Sequence, residues 1–384
     1  MRARPAEIAA VAVKLALSML CENPDRRTGL STLFPEFVGH ARRLFPNVHW
    51  LLFAGARQPA EPEEGVEISR AFPGNEHRGA RLFADHFGVG PEALRRGADA
   101  LLTIGFVPWR TAGLPIVMHV FSVPGGGSAG EGGTGGKGLN GALRNRYRGW
   151  AIRRGLNRAR LVITNSPWTA SALTAASGRI FVSPEGVRCD LFHPPDPQAS
   201  PGTYLLWASN FYRYKRAEWT LRAYAGLPVA TRARLPLLLA GGNWEGGRDR
   251  AEAEAIRLGI AADVRFLGWV GDAELPGLYR GARALVSSTA SETFGRHVLE
   301  AMASGCPCVL QDLPVLREVT GGAAVFTDFA NTAAATAALE SVVNDNVLAE
   351  RLRLGGRSRA EAFSYDRLAR ERVTAILAAL GRAA

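Results

Sequence analysis

The sequence is short of the residues that would staple it covalently or hold a metal. Its four cysteines, Cys21, Cys189, Cys306 and Cys308, show no C-x-x-C spacing, which excludes a zinc knuckle and a small disulfide framework. Cys306 and Cys308 flank a proline in an apolar stretch, so all four read as reduced packing residues, as in a cytoplasmic protein. Long apolar runs are missing too. The one candidate, Ile8 to Leu20, carries Lys14 in its middle and lacks an A-x-A cleavage site, and it falls short of the roughly 20 residues that cross a bilayer. It is expected to be a buried first strand. Despite many glycines there is no G-x-x-x-x-G-K-[ST] phosphate loop, and from Gly132 to Pro184 there is no acidic residue.

What is present fits a globular protein of two domains. The 384 residues are 47% hydrophobic and 21% charged, enough for two cores of about 150 to 200 residues each. Disorder, collagen and coiled coil are excluded. The net charge is +11, carried almost wholly by arginine, which favours anionic partners such as phosphate esters, nucleic acid or an anionic membrane face. Residues 1–200 hold 24 basic and 16 acidic groups, against 22 and 19 in the rest. The excess lies in the first half.

Short apolar runs alternate with helical spacing along the whole chain, the pattern of an α/β protein with largely parallel sheets. Ala9–Met19, His49–Ala54, Leu101–Ile104, Ile116–Val120, Leu161–Thr164 and Ile180–Val182 predict strands. Leu33, Phe37, Ala41 and Leu44 predict a helix within residues 28–44. A second series begins at Tyr204–Ala208 and continues through Leu237–Ala240, Val264–Leu267, Ala284–Ser287 and Cys308–Leu310. Between the series, Pro194–Pro201 reads as a linker. The expected domains are 1–195 and 203–365, joined by 196–202, with a last helix at about 366–384 packing back on the first domain. The glycine-rich stretch Gly125–Gly141 predicts a loop that cannot pack a core. From its last residues onward, Lys137, Arg144, Arg146, Arg148, Arg153, Arg154, Arg158 and Arg160 are interleaved with Leu143, Tyr147, Trp150, Ile152 and Leu156. That suits a basic amphipathic helix turned to solvent, to an acceptor or to an anionic membrane.

The chemistry concentrates between Ser287 and Gly305. A strand runs into a loop holding Glu292, Phe294 and Gly295, and a helix starts near Arg296. Glu292 and Glu300 stand eight positions apart, a rise of about 12 Å along a helix. A retaining glycosidase needs its two carboxyls about 5 Å apart and an inverting one less than about 10 Å, so a hydrolase pair is disfavoured. The spacing suits an elongated ligand such as a nucleotide sugar, with Glu292 at the sugar, Glu300 at the ribose and the helix N-terminus at the diphosphate between them. Gly295 lets the backbone come close.

Glu292 and Glu300 resemble the E-x7-E signature of retaining glycosyltransferases of the GT-B fold, in particular glycosyltransferase family 4. The resemblance extends through Glu300-Ala-Met-Ala-Ser-Gly-Cys-Pro, Val264-Arg-Phe-Leu-Gly-Trp-Val, Leu278-Tyr-Arg-Gly-Ala and Leu239-Ala-Gly-Gly. Upstream, Ile163-Thr-Asn-Ser-Pro-Trp-Thr and Pro184-Glu-Gly-Val-Arg-Cys-Asp-Leu-Phe are similar to further segments of the family. Glu185 there replaces the usual Asn.

The resemblance implies two Rossmann-like α/β/α domains facing each other across a cleft. It also implies transfer of a sugar from a nucleotide donor, a UDP- or GDP-sugar, with retention at the anomeric carbon and without a metal, and no D-x-D is found. The acceptor it implies is a saccharide or lipid-linked hydroxyl, in polysaccharide, lipopolysaccharide or glycolipid synthesis, and the location cytoplasmic or peripheral on the inner membrane face. Glu292, Lys215 and His119 fall at the family's catalytic positions. Gly29, Asn210, Arg213, Lys215, Gly268, Phe294, Gly295 and Glu300 are expected to bind the donor. Asn210 stands where the family has an arginine, leaving Arg213 or Arg216 to meet the leaving diphosphate. The alternatives are a GT-B epimerase and a catalytically weakened sugar- or membrane-binding homologue. No RNP, zinc or helix-turn-helix pattern accompanies the arginines, so nucleic acid is not the expected partner.

Overall fold

Near-continuous apolar runs such as Val13-Lys-Leu-Ala-Leu-Ser18 and Leu237-Leu-Leu-Ala240 are the mark of parallel strands covered on both faces. The computed structural model describes residues 12–22, 29–58, 62–121, 139–173, 179–194 and 202–382. The linker at 196–201, Thr28, Lys137 and most of the glycine-rich stretch lie outside the described residues.

The first sheet holds β1 (Val13–Ser18), β2 (Val48–Phe53), β3 (Val66–Ser69), β4 (Ala100–Ile104), β5 (Ile116–Val120), β6 (Leu161–Thr164) and β7 (Ile180–Val182). Their order is β3-β2-β1-β4-β5-β6-β7, every neighbour parallel. The second sheet holds β8 (Tyr204–Ala208), β9 (Leu237–Ala240), β10 (Val264–Gly268), β11 (Ala282–Ser287), β12 (Cys308–Gln311) and β13 (Val325–Thr327). Its order is β10-β9-β8-β11-β12-β13, again all parallel. Both sheets reverse their winding beside the first strand, at β1/β4 and at β8/β11. In open parallel sheets ligands bind at such reversals, beyond the carboxyl ends of the strands.

Helices cover both faces of each sheet. Leu15, Leu17 and Trp50 pack with Phe34 and Phe37 of the helix Gly29–Leu44 and with Leu368, Val373 and Ile376 of the last helix, Tyr365–Ala379. In the second domain Val298, Leu299 and Met302 of the helix Arg296–Ala303 fill the space over Leu206, Leu285 and Leu310. Arg372 of the last helix is fully buried and joins that helix to the end of β7. It donates to Ser183 Oγ and to the Ser183 carbonyl, both at 3.1 Å, and lies 5.3 Å from the Phe37 ring. A buried guanidinium is tolerated because most of its donors find acceptors.

Among the described residues no helix is long and apolar enough to cross a membrane. All four cysteines are free thiols. Cys306 and Cys308 are buried, whereas Cys189, expected to pack, is exposed.

Candidate functional site

The crevice at the β8/β11 reversal is built from the loops that leave those two strands. After β8 the chain runs through Asn210 and Tyr212 to the short turn Arg213–Lys215. After β11 it runs through Ser288 to Gly295. Three bonds sew the loops together: Ala290 N to the Tyr214 carbonyl at 2.8 Å, Ser288 Oγ to the Arg216 carbonyl at 2.7 Å, and Thr220 Oγ1 with Ser288 Oγ at 2.7 Å. The result is an ion pair between Lys215 Nζ and Glu292 Oε1 with both side chains about nine-tenths covered (10% and 11% exposed). Burial alone would lower the lysine's pKa, but Glu292 and the Tyr214 ring 5.1 Å away outweigh it and hold the ammonium charged.

The two candidate arginines part company here. Arg216 takes a left-handed conformation, φ +50°, which is strained for a residue with a side chain, and its guanidinium lies 5.1 Å from the Trp219 ring. Arg213 is exposed and makes no side-chain bond among the described residues, which leaves its guanidinium available to an anion. Asn210 serves as a fastener. Its Oδ1 accepts from the Gly242 N–H at 3.0 Å, fixing the turn after β9, where Gly241 has φ +152° and a Cβ would fall 1.7 Å from the Ser209 carbonyl oxygen. Gly268, at the end of β10 with φ +74°, accepts from Gly241 N at 2.7 Å. Tyr212 stacks between Tyr214 and Trp244, at 5.6 and 5.0 Å, along the same rim.

Gly295, φ +99°, turns the loop into the helix Arg296–Ala303, whose N-terminus no side chain caps. The Gly295 carbonyl takes the Val298 N–H at 2.9 Å, and the positive end of the helix dipole faces the loop. Glu300 sits one turn in. It accepts from Arg296 Nη2 and from the Tyr279 hydroxyl, each at 3.3 Å, and burial raises its pKa against the pull of Arg296. Phe294, expected at the ligand, is 2% exposed and packs on Phe363 at 5.9 Å. Its side chain belongs to the core, so only its backbone can face a ligand.

Arg296 and His297 were not singled out from the sequence, though they follow Gly295 directly. His297 Nε2 pairs with Ser287 Oγ at 2.9 Å, and burial together with Lys215 lowers its pKa to about 4. The folded protein thus keeps neutral a ring that the unfolded chain protonates near pH 6.5. The unfolded state binds the extra proton, so this contribution is intact above pH 6.5 and is lost toward pH 4, by about 1.4 kcal/mol per unit. Urea unfolding of His297→Gln at pH 7 and pH 4.5 should show less loss on acidification than the parent; an equal loss contradicts this placement of the ring.

Residues of the first domain reach the same loop. Ser166 caps the helix Pro167–Ala172, accepting from Thr169 N at 3.1 Å, and donates to the Thr293 carbonyl at 3.0 Å. Asn165 Nδ2 donates to Glu185 Oε1 at 2.9 Å; burial raises the Glu185 pKa while Arg296 opposes it. A cleft cavity of about 40 Å³ lies between the domains, lined by Thr32, Gly186, Arg188, Asp272, Arg296 and Glu300 among others. Gly29 opens the helix that carries Thr32. His119 lies on β5, fully buried, with Phe34 edge-on at 5.1 Å and Phe121 stacked at 5.8 Å. Among the described residues neither ring nitrogen has a well-formed hydrogen bond, and burial with Arg372 nearby lowers the imidazole's pKa. The loops after β8 and β11 thus bring Lys215 against Glu292, with Arg213 on the first loop and Gly295 and Glu300 on the second loop and its helix; among the described residues His119 has no hydrogen bond or ring contact to them.

Residues 193–359 match the family model for glycosyl transferases group 1. Among curated proteins, the O-antigen chain mannosyltransferase B of Escherichia coli is 32% identical over 173 residues, 45% of each chain. The D-inositol 3-phosphate glycosyltransferase of Actinosynnema mirum is 30% identical over 248 residues, 58% of this chain and 57% of that one. The chain thus spans about half the length of the curated relatives it matches. Solved structures are similar over nearly the whole length. Sucrose-phosphate synthase of Thermosynechococcus elongatus superimposes with TM-score 0.78 at 19% identity, covering 96% of this chain and 99% of that one. WaaG, a glycosyltransferase involved in lipopolysaccharide biosynthesis, gives 0.73 at 18%, covering 94% and 98%. The fold is GT-B.

Proposed function

We propose that the chain is a retaining glycosyltransferase of family 4 that moves a sugar from a UDP- or GDP-sugar to a hydroxyl of a saccharide or lipid-linked acceptor, without a metal. The buried Lys215–Glu292 pair at the β8/β11 reversal carries this reading. An uncapped helix start and an exposed arginine on the loop after β8 offer positive charge for a leaving diphosphate.

In the step proposed, the bond from the anomeric carbon to the phosphate oxygen breaks on the same face on which the acceptor oxygen bonds. The acceptor's hydroxyl proton passes to the departing phosphate. Lys215, Arg213 and the N–H groups after Gly295 meet the negative charge that builds there, and Glu292 lies against the sugar. Glu300, braced by Arg296 and Tyr279, accepts from the ribose. The O-antigen mannosyltransferase relative supports a saccharide acceptor in surface-polysaccharide synthesis.

The experiment follows nucleoside diphosphate release from each donor with and without a pool of glycan and glycolipid acceptors, and reads the anomeric configuration of the product by proton NMR. Acceptor-dependent release and a product with the donor's configuration are expected. An inverted product, or a donor sugar epimerised with no acceptor present, would overturn the reading.

A further inference from the structure

Glu185 has no part in the transfer step, yet it is held beside the donor loop. Asn165 Nδ2 donates to its Oε1 at 2.9 Å, and Asn165 is itself turned by Thr169 Oγ1, which donates to Asn165 Oδ1 at 3.2 Å. Asn165 and Thr169 are fully covered, so the Glu185 carboxylate is fixed from the first domain. Neighbouring contacts set where this segment meets the second. Val187 N donates to the Phe363 carbonyl at 2.8 Å, the Phe363 ring meets Phe294 at 5.9 Å, and Ser166 holds the Thr293 carbonyl. Together they bring Glu185 and Arg296 within each other's field. Burial raises the Glu185 pKa and Arg296 opposes it, while burial works against the Arg296 charge and Glu300, Tyr365 and Glu185 outweigh it.

Arg296 and Glu300 stand four residues apart on one helix, and their pair is loose. Arg296 Nη2 lies 3.3 Å from Glu300 Oε1, with the two side chains 21% and 12% exposed. Pairs of the same spacing and order elsewhere are tighter. Arg248–Glu252 and Arg367–Glu371, both more open to water, close to 2.7 Å, and Arg81–Asp85, as covered as this pair, to 2.9 Å. Arg357–Glu361 is looser at 3.8 Å, but its partners are 53% and 67% exposed. Attraction between charges grows as water is excluded, so a covered pair left to itself would close. A second carboxylate drawing on the same guanidinium accounts for the difference, and Glu185 is that carboxylate. The consequence falls on Glu300, whose bond from the Tyr279 hydroxyl is also long, at 3.3 Å. Its two oxygens offer about four lone-pair sites, and they keep acceptor capacity toward the cavity that Glu300 lines with Arg296.

We propose that Glu185 is a positioning residue for the donor: it draws the Arg296 guanidinium back toward the first domain, so that Glu300 keeps its acceptor oxygens for the ribose hydroxyls instead of closing a two-bond fork with Arg296, a role that rests on the reading of Glu300 as the ribose acceptor. A planar guanidinium matches a carboxylate with two parallel bonds when nothing competes for it, as Arg95 does on Glu92 at 2.7 and 2.6 Å. Such a fork on Glu300 would occupy the oxygens that a ribose needs. The first domain thus tunes nucleotide binding by the second through charge, without touching the ligand there.

The test measures binding of UDP, GDP and ADP to the full chain by titration calorimetry, together with the 2′,3′-dideoxy form of whichever binds. Glu185→Gln keeps the size of the side chain and an oxygen for Asn165 Nδ2 but removes the charge. It should weaken the ribonucleotide about tenfold, the value of a hydrogen bond to a charged group, and leave the dideoxy form unchanged. In an Arg296→Gln background the same substitution should cost less than about twofold, because no guanidinium remains to close on Glu300. Equal weakening of the two nucleotide forms, an unchanged ribonucleotide affinity, or a loss of the same size in the Arg296→Gln background would overturn the positioning role alone. A parent that binds the dideoxy form as tightly as the ribonucleotide, or binds none of the three diphosphates, would overturn the ribose assignment of Glu300 and the role of Glu185 with it.

Discussion

Glu292→Ala is expected to slow acceptor-dependent transfer by at least about a hundredfold while leaving the fold intact. The loss is catalytic because the proposed donor pose sets the sugar against Glu292, which is held at the β8/β11 reversal by Lys215 rather than by the hydrophobic core. Leaving the lysine without its anion costs about 3 kcal/mol, but the pair lies in two loops outside the apolar clusters, so the fold is kept. Initial rates of nucleoside diphosphate release, read beside far-UV circular dichroism, check both parts. Glu292→Gln keeps the volume and removes the charge, so it should be slowed comparably. Near-normal transfer by either variant would remove Glu292 from the chemistry.

Lys215→Met is expected to act on stability as well as on rate. It leaves Glu292 largely covered and without its cation, a change that costs about 3 kcal/mol in buried pairs, so the melting midpoint should fall by several degrees. Transfer should fall too, since in the proposed step the leaving diphosphate loses a buried cation. Arg213→Gln supplies the contrast. Arg213 is exposed and unpaired among the described residues, so its loss should change stability by less than about 0.5 kcal/mol while still slowing transfer. A Lys215→Met protein as stable as the parent would contradict the buried pair.

Much of this was legible in the sequence because it follows from local pattern. The apolar runs mark the strands, and the Glu292/Gly295/Glu300 spacing marks a strand, loop and helix start whatever surrounds it. What depends on tertiary contact was not legible. The sequence favours Arg213 over Arg216 without settling between them; the structure shows Arg216 in a left-handed turn beside Trp219 and Arg213 exposed without a side-chain bond among the described residues. Asn210, in the position of a charged residue, turns out to bind a backbone N–H of the neighbouring loop. His119 sits near a strand tip in the sequence, but its enclosure by Phe34 and Phe121 comes from a helix and a loop that the strand pattern says nothing about. The Ser166 bond to Thr293 joins residues 127 apart. No spacing rule reaches that far.

The central claim is that a nucleotide sugar lies along the helix Arg296–Ala303 with its ribose at Glu300. A melting screen of the parent and Glu300→Ala across UDP-, GDP- and ADP-sugars tests it most directly, because a ligand at a hundred times its dissociation constant adds about 2.7 kcal/mol. One nucleotide class should raise the parent's midpoint and fail to raise that of Glu300→Ala at the same concentration. No shift of the parent with any donor, or equal shifts in both proteins, would contradict the account.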